Sequence, residues 1–392
     1  MPHSETPIDA TALRAHYTAF VRPGRILLTG HSHQAWPDVA RDGMLRAFDD
    51  AAEHVDDKWA RAAAQADAIR GAVSRETGAR ACDVALAPNT HELVTRFLSA
   101  LDPRRRHIVT TDGEFHSLRR QLERLSEAGV EVTWVAAEPV ATLAERLAAA
   151  VRPGTAALMA STVLYRTSTR VPHLADAVRA AHRVGAQVLL DAYHAFMTVP
   201  FHVADLGPDP VFVVAGGYKY AQWGEGCCWM RVPPDCTLRP IYTGWFSDFA
   251  GLAAPSGGPL GYGHDGASRF AGSTYEPSSH YRAAAVVAFF QAQGLTVARL
   301  RAQSTAQTEA LIAALPDLHL LSPRDPAERG GFVAFGVPDA GRIVDALRPR
   351  GIFVDARGDA LRLGPAPYLT DAELDVAADH LRSVLRVRGA GA

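Results

Sequence analysis

AALMASTVLYRTSTRVPHLADAVRAAHRVGAQVLLDAYHA, residues 156–195, reads as strand, helix, strand. AALMAS at 156–161 and QVLLD at 187–191 are apolar runs of strand length. Between them PHLADAVRAAHRVG at 172–185 carries apolar residues at helical spacing and closes on Gly185. Two strands joined through a helix pair in parallel, and such strands are buried on both faces. The same alternation extends upstream through a strand at 107–111, a helix at 115–129, a strand at 130–136 and a helix at 141–151. Downstream, PVFVVA at 210–215 and GCCWMRV at 226–232 add two more strands. The fold class is therefore α/β, with a mostly parallel sheet covered by helices on both sides.

After Arg282 the rhythm changes. Two helical stretches lead to strand-like FVAFGV at 332–337, a helix at 340–348, IFVD at 352–355, LRL at 361–363 and a last helix from Asp371. This α+β tail reads as a smaller domain. The division expected is 45–282 for the large domain and 1–44 with 283–392 for the small one.

Composition narrows the function. With 48% hydrophobic and 21% charged residues among 392, the chain buries a large core, and a net charge of −2 gives no global pull toward nucleic acid or anionic lipid. The N-terminal stretch has no apolar h-region, and no uncharged apolar run approaches the roughly 20 residues of a membrane span. A cytoplasmic protein with a small-molecule partner is expected. Cys82, Cys227, Cys228 and Cys236 form no CxxC pair and read as free buried thiols, with adjacent Cys227 and Cys228 on opposite faces of a strand.

Ligands of parallel sheets sit beyond the carboxyl ends of the strands. That rule selects Asn89 to His91, Asp112 to His116, Ser161 to Tyr165, Asp191 to His194 and Gly216 to Lys219. Asp191 closes an apolar strand, where a carboxylate stays ionised only beside a cation or good donors. A protonated heteroaromatic nitrogen would serve, as would the backbone of a following turn. Lys219 stands twenty-eight residues later among aromatics and glycines in AGGYKYAQWGEG. Desolvation there prepares an amine for carbonyl chemistry, while the plainer role is a snorkelling surface lysine. Asn89 and Thr90 open a helix whose first-turn N–H groups suit an anion, or simply cap it. Phe115 either covers a flat ring or anchors the core, and His116 is a second candidate beside it. His31 and His33 form an HxH pair without a third ligand at suggestive spacing, so no metal is expected.

Taken together and in register, these residues resemble the class V aminotransferase group, and within it the kynureninases. STVLYRTS at 161–168 is similar to the kynureninase segment SDVxYRTG, and AHRVGAQVLLDAYHAFM at 181–197 is similar to AHxxGxxxxWDLxHxxG. The YKY at 218–220, the GW element at Gly244 and Trp245, and LRLGPAPYL at 361–369 also match. The chain departs from the pattern at GHSHQ (30–34), where kynureninases carry GNSLG, at AQWGEG (221–226) in place of a GPG-type turn, and at Leu118 in place of an aspartate.

The resemblance implies the aspartate-aminotransferase-like fold type I, with a seven-stranded sheet, and pyridoxal 5′-phosphate as cofactor. It implies Lys219 as the covalent anchor, Asp191 for the pyridine nitrogen, Phe115 for stacking and His194 beside the ring. Asn89, Thr90, Tyr218 and Trp245 fall to the phosphate end, and Thr274 reaches into the neighbour's site of a homodimer with shared active sites. Arg362 would clamp a substrate α-carboxylate, with His31 and Ser32 nearby on the substrate side. Lys219, Asp191, His194 and Tyr218 are the catalytic set. The leading expectation is hydrolytic Cβ–Cγ cleavage of an amino acid. Another reaction on the same cofactor (transamination, β- or γ-elimination, epimerisation) is the alternative, and a fold that has lost catalysis is the third. Cysteine desulfurases need a cysteine near the C-terminal arginine, and none follows Cys236.

Overall fold

The computed structural model describes residues 7–253, 258–263 and 265–389. Residues 1–6 and 390–392 of the expected small domain lie outside them. A short strand β1 (Ile26–Leu27) precedes two long helices, Val39–His54 and Lys58–Thr77. The large sheet follows as β2 (Val84–Ala87), β3 (His107–Thr111), β4 (Glu131–Val135), β5 (Thr155–Ser161), β6 (Gln187–Asp191), β7 (Phe212–Gly216) and β8 (Cys228–Arg231). The rest of the chain adds β9 (His319–Leu320), β10 (Val333–Gly336), β11 (Ile352–Phe353), β12 (Asp355–Arg357) and β13 (Ala360–Leu363).

The seven strands lie in the order β2-β8-β7-β6-β5-β3-β4, with β8 antiparallel to both neighbours and the other pairs parallel. The expected seven-stranded, mostly parallel sheet is thus present. Alternation along the strands feeds two cores: Leu158, Val188, Leu190 and Val213 pack on one face, and Met159, Leu189, Phe212 and Val214 on the other. Cys227 and Cys228 divide between those faces in the same way, as a two-residue side-chain period requires. All four cysteines are free thiols, but only Cys227 and Cys228 are buried; Cys236 is half-buried and Cys82 exposed.

The chain winds outward in opposite directions from the β3/β5 boundary, leaving a crevice beyond the carboxyl ends there. Because β8 runs the other way, its amino end meets that same crevice. The four-stranded small sheet has the order β12-β13-β10-β9. IFVD divides at Val354 because Ile352 and Phe353 pair in parallel with β1 while Asp355 turns to pair with β13. The expected division of the chain cuts helices Val39–His54 and Ser278–Ala292, which pack against each other. We propose that these two helices form the seam between the domains.

Among the described residues no single helix is long and apolar enough to cross a membrane. Ser278–Ala292 and Val297–Ala314 together carry enough apolar residues, but they bend by 83°.

Gly216, which ends β7, and Gly217 just after it allow the close approach on which the following lysine depends. A Cβ on Gly216 would stand 2.3 Å from the Tyr193 hydroxyl, and one on Gly217 2.4 Å from the Trp223 ring. Overpacking of this kind costs about 1–3 kcal/mol. Gly217→Ala is accordingly expected to lower the thermal unfolding midpoint, measured by circular dichroism; an unchanged midpoint would show that Trp223 gives way freely.

Candidate active site

The strand ends converge on one cavity of about 240 Å³. Of the residues singled out by sequence, Asn89, Thr90, Phe115, Asp191, His194, Tyr218 and Lys219 line it. Lys219 is buried, with Nζ 2.7 Å from His194 Nε2 and 4.4 Å from the centre of the Tyr193 ring; Phe115 and Tyr218 stand at 5.4 and 5.8 Å. Loss of solvation lowers its pKa to about 7, partly opposed by Asp191. The amine is therefore substantially neutral near neutral pH, the state a nucleophile or proton acceptor requires.

His194 is pushed well below the usual histidine range by burial first and then by the Lys219 charge. Its Nε2 faces the amine and its buried Nδ1 has no partner. Asp191 Oδ1 accepts the Tyr193 N–H at 2.8 Å, capping the turn, and the carboxylate also lines the cavity. Burial raises its pKa and Lys219 opposes the rise. Tyr218 is pushed up to about 12, chiefly by burial, and so stays protonated.

At the other end of the cavity Asn89 caps the helix Thr90–Ser99, accepting the Glu92 N–H at 2.9 Å. That engagement turns the start of the helix, with Thr90 and His91, toward the cavity. Phe115 caps the next helix, His116–Glu127, and meets Tyr165 edge-on at 5.4 Å; His116 is exposed beside them.

The remaining candidates lie elsewhere. Trp245 is exposed and stacks with Phe246 at 4.4 Å, and Thr274 lines a second cavity of about 810 Å³ that shares Pro88 and Gly226 with the first. Ser32 donates to the Thr29 carbonyl at 3.3 Å. His31 is fully buried, stacks on Phe332 at 4.5 Å and holds Asp355 Oδ1 at 3.0 Å; burial and Arg362 lower its pKa to about 4, so it is neutral. His33 points away, exposed, toward Tyr218. The HxH pair diverges, and the described residues contain no group of three or more metal-ligating side chains. Arg362 is buried with Nε and Nη2 on Asp355, at 2.8 and 2.6 Å, and Nη1 on the Tyr165 carbonyl at 2.6 Å.

Several site residues escaped the sequence reading. Glu114 is buried, accepting Ser161 N–H at 2.9 Å and Ser161 Oγ–H at 2.6 Å, and burial raises its pKa to about 7. Its position in the flagged 112–116 segment was the available signal. Phe332, bridging His31, His194 and Arg362, and Asp355 gave none, because each reads as an ordinary strand residue.

The donor set suits a phosphorylated pyridine aldehyde. A desolvated amine, a strand-end carboxylate, a helix N-terminus and flanking aromatics stand on one cavity. Comparison with known proteins points the same way. Residues 300–381 match the kynureninase C-terminal domain. Kynureninase of Pseudomonas fluorescens is 28% identical over 331 residues, 79% of this chain and 76% of that one. Kynureninase of Xanthomonas euvesicatoria pv. vesicatoria (strain 85-10) is 28% identical over 320 residues, 76% of this chain and 67% of that one. The chain is thus similar to kynureninases along most of its length, and at residues 300–381 to their C-terminal domain.

Solved structures define its fold. A C-DES mutant with glycine covalently linked to the PLP cofactor superposes with a TM-score of 0.81 at 19% identity, covering 94% of this chain and 98% of that one. Apo cysteine desulfurase from Thermococcus onnurineus NA1 gives 0.80 at 16% identity, covering 98% and 100%. The architecture is the aspartate-aminotransferase-like fold type I.

The lowered lysine pKa has a direct readout. In the cofactor-free protein, modification of Lys219 by an amine-directed reagent, followed by mass spectrometry of the peptide, is expected to rise with pH about a midpoint near 7. A midpoint in the ordinary lysine range would contradict the burial described.

Proposed function

We propose that this pyridoxal-phosphate-dependent enzyme hydrolyses the Cβ–Cγ bond of an amino acid bearing a γ-carbonyl, as the name of its kynureninase relatives suggests. The observation that carries the reading is the Lys219 amine, largely neutral, bonded to His194 in a cavity that Asp191 also lines. When bound, the cofactor supplies an electron sink for the negative charge left at the substrate Cα.

The chain's own residues do the rest. Lys219 would hold the cofactor through its amine, and the free Nζ would accept the Cα proton. His194 receives a hydrogen bond from that nitrogen and keeps it aimed into the cavity. Asp191 holds the ring nitrogen protonated. Phe115 and Tyr193 exclude water around the amine. Tyr218, protonated throughout the neutral range, donates a proton at Cβ after water has added to the γ-carbonyl and the Cβ–Cγ bond has broken, releasing a carboxylic acid and alanine. Arg362 receives the α-carboxylate, with His31 beside it. Cys228 also lines the cavity, but burial pushes its thiol up to about 12, which supports this reading over one with a thiolate nucleophile.

A homodimer and a cytoplasmic location belong to the same reading. Leu45 and Phe48 on one helix, and Ile241, Tyr242, Trp245, Phe249 and Leu252 on the segment beyond β8, expose apolar surface. A second copy covering the larger cavity would bring its own Trp245 and Thr274 toward the phosphate end.

Incubation with kynurenine is expected to yield anthranilate, followed by its fluorescence, and alanine, followed by mass spectrometry. Lys219→Ala should lower turnover by about two orders of magnitude or more, the usual loss on removing a general base. A cofactor band that responds to amino acids without anthranilate release would assign the enzyme instead to transamination, elimination or epimerisation, a reading supported by His31 in the departing GHSHQ segment.

A further inference from the structure

Arg362 lies on the inner strand β13, and Asp355 stands directly across from it on β12, the three-residue edge strand of the small sheet. Asp355 Oδ1 accepts from Arg362 Nε at 2.8 Å and from His31 Nε2 at 3.0 Å, and Oδ2 accepts from Arg362 Nη2 at 2.6 Å. With Nη1 on the Tyr165 carbonyl, the guanidinium already grips one carboxylate side-on and has a single N–H left on each Nη. A second carboxylate on that edge would set two anions against one buried cation, where like charges repel strongly.

The structure contains a way out. Arg357, two residues along β12, has Nη1 3.9 Å from Asp355 Oδ2 and is more than one-third exposed. Among the described residues its Nη1 meets the neighbouring Ala356 carbonyl and, at that longer range, Asp355. The strand between them is free on its outer edge and joins β13 through Gly358 and Asp359, both exposed, with Gly358 at φ +57°.

We propose that Asp355 is an internal stand-in for the substrate carboxylate: the incoming α-carboxylate replaces it on Arg362, and Asp355 passes to Arg357. The proposal rests on the reading of Arg362 as the carboxylate clamp. After the exchange each arginine faces one carboxylate, so no uncompensated charge is buried. His31, neutral, follows Asp355 with its Nε2–H or offers it to the substrate. The device makes entry selective: only a ligand with a full negative charge in reach of the fork displaces the resident anion, and amides and esters do not.

The test uses the cofactor-loaded enzyme and two probes, L-alanine and L-alaninamide, with binding read from the shift of the cofactor's visible absorbance. Asp355→Asn is expected to bind alanine about tenfold more tightly, the worth of roughly one charge-assisted hydrogen bond no longer competed for, with alaninamide unchanged. Arg357→Gln should weaken alanine severalfold and leave alaninamide alone. Equal or weaker alanine binding by Asp355→Asn overturns the proposal, as does a variant that no longer holds the cofactor, because Asp355 is then only a support for Arg362. Arg362→Gln separates the underlying reading: loss of the preference for alanine over its amide upholds the clamp whatever Asp355 does, and retention of that preference removes it.

Discussion

A primary amine out of water is the constraint around which this molecule is arranged. Lys219 sits at the end of an apolar strand, and everything near it answers the cost of putting a charge there. His194 stays neutral and meets the amine through Nε2, Asp191 offers partial compensation, and three aromatic rings stand around it. Remove the burial and the amine would be a protonated surface group with no chemistry near neutral pH. The two glycines before it follow from the same demand, because the lysine reaches the cavity only if the chain passes against Tyr193 and Trp223 without a side chain.

The sheet explains why these groups meet. Parallel strands deliver their carboxyl ends to one side, so Ala87, Thr111, Ser161, Asp191 and Gly216 all finish facing the crevice. The reversed strand β8 brings its amino end to the same place, and Gly226 and Cys228 join the wall. Electrostatics then differentiates the carboxylates. Glu114, held by Ser161 and Thr111 in the interior, is raised to about 7, while Asp355, gripped by His31 and Arg362, is held far below the usual carboxylate range. One is able to carry a proton at neutral pH and the other is a permanent anion.

Much of this was legible in the sequence for definable reasons. The strand ends at 111, 161 and 191 fall where the apolar runs stop, since burial on both faces leaves no other reading for those runs. Seven candidate residues reach one cavity because the rule for ligands of parallel sheets is a matter of backbone direction. What could not be read were pairings across the small sheet. Asp355 faces Arg362 only through antiparallel register, and nothing local to IFVD announces that the strand changes partners after Phe353. The helices at 39–54 and 58–77 were missed for a different reason: their alanine-rich and charged faces give a weak apolar period. For Arg362 the sequence supplies the guanidinium but not the carboxylate already on it.

That change of partners ties distant parts of the chain together. Ile26 and Leu27 pair with Ile352 and Phe353, Thr29 bridges to Gly364, and His31 follows at once on Asp355. The opening segment thus pairs with the chain just before Asp355 and bridges to the residue just after β13, on both sides of the Asp355–Arg362 pair. Its register there fixes where His31 stands. Substitutions at Ile26 or Leu27 that shift this pairing would reach the anion-holding corner mechanically, although they touch no residue of the cavity itself.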